Sequence, residues 1–318
     1  MQTTSSSASA LAAQRPVYES LEELTAAADD AIAAALGIAG APPQFAVLAL
    51  GRLGSREFDI ASDADLLFLR EEKLEARKAT RAAEQIVEAL AAYTRDGTVF
   101  AVDPRLRPRG GEGELVVTPA NLASYFAAEA LAWEALTYTK LRFVAGSERL
   151  AERALTEVEQ GIARFGGDAS FPAAVREMRG KLERAESSEA GSFKTAPGGF
   201  YDIDFVASYL MVRHRTRVEG NIRERLHGLA GQDLLSDNDC ATLDSAAELL
   251  RTLEHVVRLV TGRARKSLPA SEHAHETIER LTRKLLRRDF AGGLEGELTR
   301  AFVSVREVYE RVLTAPAA

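Results

Sequence analysis

The chain contains a single cysteine, Cys240. That excludes an internal disulfide and a thiolate metal cluster. Histidine is scarce too, at five residues, and no ligand set forms among them. His273 and His275 are spaced too closely to share a helix face. Glu254-His255 reads as a packed or solvated helix pair. No run of about 18 apolar residues occurs, so no transmembrane helix is expected. Positive charge is in deficit, 40 Lys and Arg against 47 Asp and Glu, a net charge of -7. That excludes a global attraction to nucleic acid or to an anionic membrane, so neither is an expected partner. Met1 to Ala13 is rich in serine and alanine but has no basic segment, unlike a secretory signal. The expectation is a cytoplasmic protein with a flexible segment over 1–16.

What is present centres on residues 45–69. Phe45 to Leu50 is an apolar run that reads as a buried strand. A glycine-bearing turn, Gly51 to Ser55, follows it. Asp63 and Asp65 then lead into a second apolar run, Leu66 to Leu69. In a strand, residues two apart project to the same face, so the two aspartates stand side by side. Adjacent carboxylates repel unless a cation neutralises them, and hard oxygen ligands suit Mg²⁺. Gly51, Gly54 and Ser55 offer backbone N–H groups and a hydroxyl for phosphate oxygens. No Gly-Lys-Ser/Thr follows, so the turn is not a Walker A loop. Without that setting, Asp-x-Asp is a common solvated loop or helix cap.

Val99 to Val102 reads as a further strand. If it continues, Asp103, Arg105 and Arg107 share one face. The acid can complete a metal cluster, and the guanidiniums can bind a triphosphate as planar forks. The competing reading is a surface charge ladder. Arg109 to Gly113 is a turn.

Helical spacing marks Ser20–Leu36, with Ser20 as N-cap, and Glu71–Tyr93. From Pro119 onward nearly everything reads as helix: 121–144, 150–165, 172–189, 202–215, 222–229, 238–261, 272–288 and 295–313. The chain is therefore expected to be α+β, a mixed-sheet head over 17–118 followed by an all-α helical bundle over 119–318. Within the bundle, Pro197-Gly198-Gly199 breaks the helical pattern. Asp202 and Asp204 after it form a possible second acidic pair, though acids at a helix start also complement the dipole.

Several of these motifs together resemble one family. Gly54-Ser55, Ser62-Asp-Ala-Asp-Leu66 and Asp103 resemble the nucleotidyltransferases of the DNA polymerase β superfamily. More narrowly, the chain is similar to the glutamine synthetase adenylyltransferases. The motifs are Leu50-Gly-Arg-Leu-Gly-Ser-Arg-Glu57, Val102-Asp-Pro-Arg-Leu-Arg-Pro108, Trp133-Glu134 with Lys140 and Arg142, Pro197-Gly-Gly-Phe-Tyr-Asp-Ile-Asp-Phe205, and Leu253-Glu-His255. Ser55, Ala135 and Asp204 depart from the family pattern. The resemblance implies a nucleotidyltransferase head and a helical domain shared with PII uridylyltransferases. It implies transfer of AMP from ATP to a tyrosine of glutamine synthetase, with Asp63, Asp65 and Asp103 holding Mg²⁺ for two-metal catalysis. Gly54, Ser55, Arg105 and Arg107 would cradle the phosphates. A PII-type signalling protein is an implied partner. The alternatives are phosphorolytic removal of AMP and a non-catalytic module that binds nucleotide or PII.

Overall fold

The structure, a computed structural model, describes residues 15–93, 97–185 and 192–314. The flexible segment expected over 1–16 lies outside these, except for Arg15 and Pro16. The chain divides into two compact units. One is Leu21–Gly166; the other holds the described residues from Gly167 onward and the first turn of the first helix.

The first unit is a small mixed sheet with helices on both faces. Its elements in order are α1 (Val17–Ile38), β1 (Phe45–Ala49), α2 (Gly51–Gly54), β2 (Ala64–Arg70), α3 (Ala76–Ala91), β3 (Val102–Asp103) and β4 (Val116–Val117). They are followed by α4 (Pro119–Ala128), α5 (Ala132–Tyr138), β5 (Arg142–Gly146) and α6 (Glu148–Gly166). The strand path is β3-β2-β1-β5, with β4 also paired to β2. β1 runs antiparallel to β2 and β5, whereas β2 runs parallel to β3 and β4.

The unbroken apolar run of β1 follows from burial on both sides. Phe45, Val47 and Ala49 face Ala28, Ile32, Ala83 and Ile86 of α1 and α3. Ala46 and Leu48 face Leu122, Phe126, Leu150 and Ala154 of α4 and α6. The strand period of two thus divides one sequence between two cores.

Three expectations are corrected here. The head ends at Gly166 rather than at 118. Arg142–Gly146 is a strand, not the end of a long helix, and its pairing with β1 draws 119–166 into the first unit. Ser20 is not a cap: α1 begins three residues earlier, and Ser20 is buried within it.

The second unit carries α7 (Phe171–Ala185), α8 (Phe200–His214), α9 (Ile222–Ala230), α10 (Asp237–Thr261), α11 (Glu272–Leu286) and α12 (Gly293–Thr314). Side-chain caps set several starts. The hydroxyls of Ser236 and Ser271 accept from the third residue of α10 and α11, and Asn221 with Glu224 closes a capping box on α9. No described helix is long and apolar enough to cross a membrane.

Candidate active site

The turn after β1 is built around two glycines with different tasks. Gly51 has φ +56°, and a Cβ there would lie 1.9 Å from Oδ2 of Asp65. The Asp65 carboxylate therefore rests against bare backbone. At Gly54 a Cβ would lie 2.2 Å from the Lys140 carbonyl oxygen, so this glycine admits the chain entering β5. Arg142 braces the turn, donating to the Leu53 carbonyl at 3.0 Å while pairing with Asp29 at 2.8 and 2.9 Å.

A second brace was not expected. Arg52 donates to the Glu57 carbonyl at 2.8 Å and lies 3.5 Å from the buried Asp59 carboxylate, which accepts from the Ile60 amide. The available signal is Arg-Glu-Phe-Asp directly after the turn, three charges around one aromatic in a stretch framed by apolar runs.

Asp65 and Asp103 are register partners on the parallel strands β2 and β3. Same-register residues on neighbouring strands share a face. Asp63 lies one residue before β2 and is exposed. Arg105 stands among these acids. It pairs with Asp103 through Nε at 2.9 and 3.0 Å and Nη2 at 2.5 Å, and its amide donates to the same carboxylate. That contact holds the Asp103 carboxyl below its ordinary value, opposed by burial. Reciprocally, Asp103 raises Arg105, with smaller contributions from Asp65 and Asp63.

Several of the expected site residues have protein partners in this geometry. Among the described residues, no three carboxylate, imidazole or thiolate groups gather as a metal cluster. The Asp103 carboxylate is turned onto Arg105. What fits a hard cation is the in-register pair Asp65 and Asp103, an oxygen donor set against a turn with no side chain at Gly51. Arg107 lines the same cavity as Arg105 but, unlike it, makes no hydrogen bond to Asp103. It staples its own loop, donating to the carbonyls of Pro104, Gly111 and Gly113 at 2.7, 3.2 and 3.1 Å. Ser55 is buried, and its hydroxyl donates within the turn, 3.0 Å from the Gly51 carbonyl.

In the second unit Asp202 is wholly buried. Arg179 Nε donates to one oxygen at 2.5 Å; the Gly198 amide and Arg306 donate to the other at 2.7 and 3.2 Å. Asp204 pairs with Arg225 at 3.3 Å. Asp202 serves the interior of the helical unit, and Asp204 is partly exposed.

Beside the 105–110 loop lies a cavity of about 340 Å³. Glu134, buried on α5, fixes one wall: it accepts from the Tyr125 hydroxyl at 2.6 Å and from the Leu131 amide at 2.9 Å. Burial, aided by Glu134, pushes the Tyr125 phenol up to about 12 from 10.0. A phenol held more tightly in the fold stabilises it below its unfolded pKa, and this contribution is lost as pH rises from about 10 to about 12. In alkaline ultraviolet titration, the difference between the parent and Tyr125→Phe should be one phenol ionising near the upper value. A difference centred near the lower one would show that the Tyr125–Glu134 bond does not hold.

Comparison with known proteins agrees with this division. Residues 4–157 match the family model described as glutamate-ammonia ligase adenylyltransferase. Residues 170–313 match that described as GlnD PII-uridylyltransferase. The bifunctional glutamine synthetase adenylyltransferase/adenylyl-removing enzyme of Mycobacterium tuberculosis (strain ATCC 25618 / H37Rv) is 32% identical over 312 residues, 92% of this chain and 30% of the relative. The proteins of the same name from Hahella chejuensis and Pseudomonas aeruginosa are 30% and 31% identical over 256 and 251 residues. Those alignments cover 76% and 74% of this chain, and 27% and 26% of the relatives. The chain belongs to the glutamine synthetase adenylyltransferase family. It spans about 30% of the length of the mycobacterial relative.

Proposed function

We propose that this chain moves AMP from ATP to a tyrosine of glutamine synthetase in the cytoplasm, with Mg²⁺ as cofactor and a PII-type protein as a regulatory partner. The observation that carries the reading is the register pairing of Asp65 with Asp103 beside the Gly51–Ser55 turn. Such an edge suits in-line displacement at phosphorus. The tyrosine hydroxyl gives up its proton to solvent as its oxygen bonds to the α-phosphorus, the bond to pyrophosphate breaks and pyrophosphate leaves, and no enzyme nucleophile is required.

Asp65 and Asp103, with Asp63 at the rim, would hold Mg²⁺, which when bound supplies neutralisation of the phosphate charge. Asp65 is positioned by the bare backbone of Gly51. Asp103 is masked by Arg105 until that arginine turns to the phosphates, for which its planar fork is suited. The opening amides of a helical turn such as α2 have no intrahelical acceptor and can add donors.

Arg105→Ala is therefore expected to raise Mg²⁺ affinity in the absence of nucleotide several-fold and to weaken ATP binding. Calorimetry with each ligand separately checks this. An unchanged Mg²⁺ affinity would mean that Arg105 does not compete for Asp103.

The second reading is phosphorolytic removal of AMP from modified glutamine synthetase. The internal use of Ser55 and Arg107 favours it, since fewer donors are left for the outer phosphates of ATP. One experiment separates the two. The protein is incubated with Mg²⁺, glutamine synthetase and α-labelled ATP, and in parallel with adenylylated glutamine synthetase and phosphate. Label on glutamine synthetase supports transfer; ADP release without labelling reverses the direction; neither product sinks both readings.

A further inference from the structure

The cavity beside the 105–110 loop has no role in the chemistry described above. Its lining includes Arg105, Leu106, Tyr125, Trp133, Thr137 and Tyr138. We infer that it receives the adenine base of ATP, with the Trp133 indole as the stacking face. This rests on the adenylyl-transfer reading, in either direction.

Size is the first argument. At about 340 Å³ the cavity is at the small end of ligand pockets. It suits a nucleoside rather than a whole nucleoside triphosphate.

The second is chemistry. Three of its twelve lining residues, Tyr125, Trp133 and Tyr138, are aromatic, and every base presents a π-face to such a wall. Trp133 is half-buried and lines the cavity.

Rigidity is the third. Glu134 spends both carboxylate oxygens on Tyr125 and Leu131, and the Tyr138 hydroxyl donates to the Leu106 carbonyl at 2.8 Å. These bonds fix α4, α5 and the loop around the cavity, so a stacked ring meets a preorganised wall.

Position decides between the two aromatic groups the reaction involves. Arg105 belongs both to the cavity lining and to the ion pair with Asp103. None of Asp63, Asp65 and Asp103 lines the cavity. A tyrosine ring seated there would hold its hydroxyl away from the acids that serve the reaction. A nucleotide does not have that conflict, because ribose and phosphates extend from the base past Arg105 to the strand edge.

Trp133 is the only tryptophan of the chain, so its fluorescence reports on this cavity alone. The full chain is titrated with Mg²⁺-ATP, with Mg²⁺-tripolyphosphate and with a tyrosine-containing acceptor peptide, exciting at the red edge of the indole band. ATP binding is followed in parallel by calorimetry. ATP is expected to quench Trp133 saturably, at the concentrations where calorimetry records binding, and tripolyphosphate is expected to leave it unchanged. Trp133→Ala should weaken ATP about ten-fold or more while leaving tripolyphosphate affinity unchanged. Trp133→Phe, which keeps a stacking ring, should recover most of the loss.

ATP binding with no fluorescence change, and with equal affinity for Trp133→Ala, overturns the base assignment and leaves the transfer reading standing. Quenching by the peptide but not by ATP overturns it in favour of the acceptor. Absence of any ATP binding removes both this assignment and the transfer reading.

Discussion

Arg179→Ala is expected to destabilise the helical unit by about 3 kcal/mol, the lower end of the cost of removing one partner of a buried ion pair, because other donors stay on Asp202. Arg179 is 1% exposed and Asp202 is 0% exposed. The guanidinium donates to Asp202, donates to the Ala196 carbonyl at 2.9 Å, and lies 3.2 Å from Glu183. It therefore ties α7 to the Pro197-Gly198-Gly199 loop and to the first turn of α8. Removal leaves Asp202 with the Gly198 amide and Arg306.

The pH dependence of this variant has a definite sign. Burial already pushes the Asp202 carboxyl above its ordinary value, against the pull of Arg179, the Gly198 amide and Arg306. A carboxyl raised on folding favours the fold below its unfolded pKa, and that contribution is lost as pH rises through the raised value. Without Arg179 the carboxyl moves higher still. The deficit of the variant against the parent is thus largest near neutrality and shrinks in acid, where Asp202 takes up a proton. Denaturant unfolding of both proteins at neutral and acid pH measures it. A neutral-pH deficit below about 1 kcal/mol, the ordinary cost of a substitution, would show that the pair is not structural. Replacing the pair together by Arg179→Met and Asp202→Asn should cost less than Arg179→Ala alone, since no charge is then left unmatched.

The same pair shows what a sequence conceals. Asp202 is legible as an acid in the first turn of a helix, and it is there, in α8 after the Gly199 N-cap. Its partner is 23 residues earlier, on a helix whose apolar period is equally legible. No local pattern says that the two meet. The helices from Glu148 onward follow their apolar spacing closely, because each buries one stripe and the stripe sets the period. Arg142–Gly146 fails for the opposite reason. Five residues hold too few alternations to overrule the helical stretch before them, and their strand is fixed only by pairing with β1.

The site was legible as composition and order rather than as contacts. The turn, Asp63, Asp65 and Asp103 lie in the expected succession, and β2 meets β3 with Asp65 opposite Asp103. The arginines after Asp103 do not continue a strand. β3 ends at Asp103, Arg105 folds back, and Arg107 closes the loop onto its own carbonyls. A guanidinium has five donors and satisfies whichever acceptors the loop brings near. Alternation along a strand therefore stops predicting its direction where the strand stops.

Gly51→Ala is expected to remove adenylyl transfer, by about a hundred-fold or more, while the sheet still forms. Two costs fall on this position. An alanine at φ +56° carries about 1–2 kcal/mol of left-handed backbone strain. Its Cβ would also be 1.9 Å from Asp65 Oδ2 and 2.9 Å from Cγ, so the carboxylate must swing off the turn. Asp65 is a side-chain end, and it can yield. The register of β2 with β1 is held by Leu66 to Arg70 and need not move. The disturbance thus falls on a group the proposed chemistry needs in place, where a displacement of about 1 Å costs on the order of a hundred-fold in rate. Gly54→Ala is the contrasting variant. Its Cβ would meet the Lys140 and Ala49 carbonyl oxygens at 2.2 and 2.9 Å, and backbone at the join of β1 and β5 cannot yield without shifting the sheet. Gly54→Ala should therefore lose stability first, and Gly51→Ala activity first. Far-ultraviolet circular dichroism with denaturant unfolding, set beside labelled AMP transfer to glutamine synthetase, separates them. Full transfer activity in a folded Gly51→Ala protein would mean that Asp65 does not act from the position it holds against this glycine.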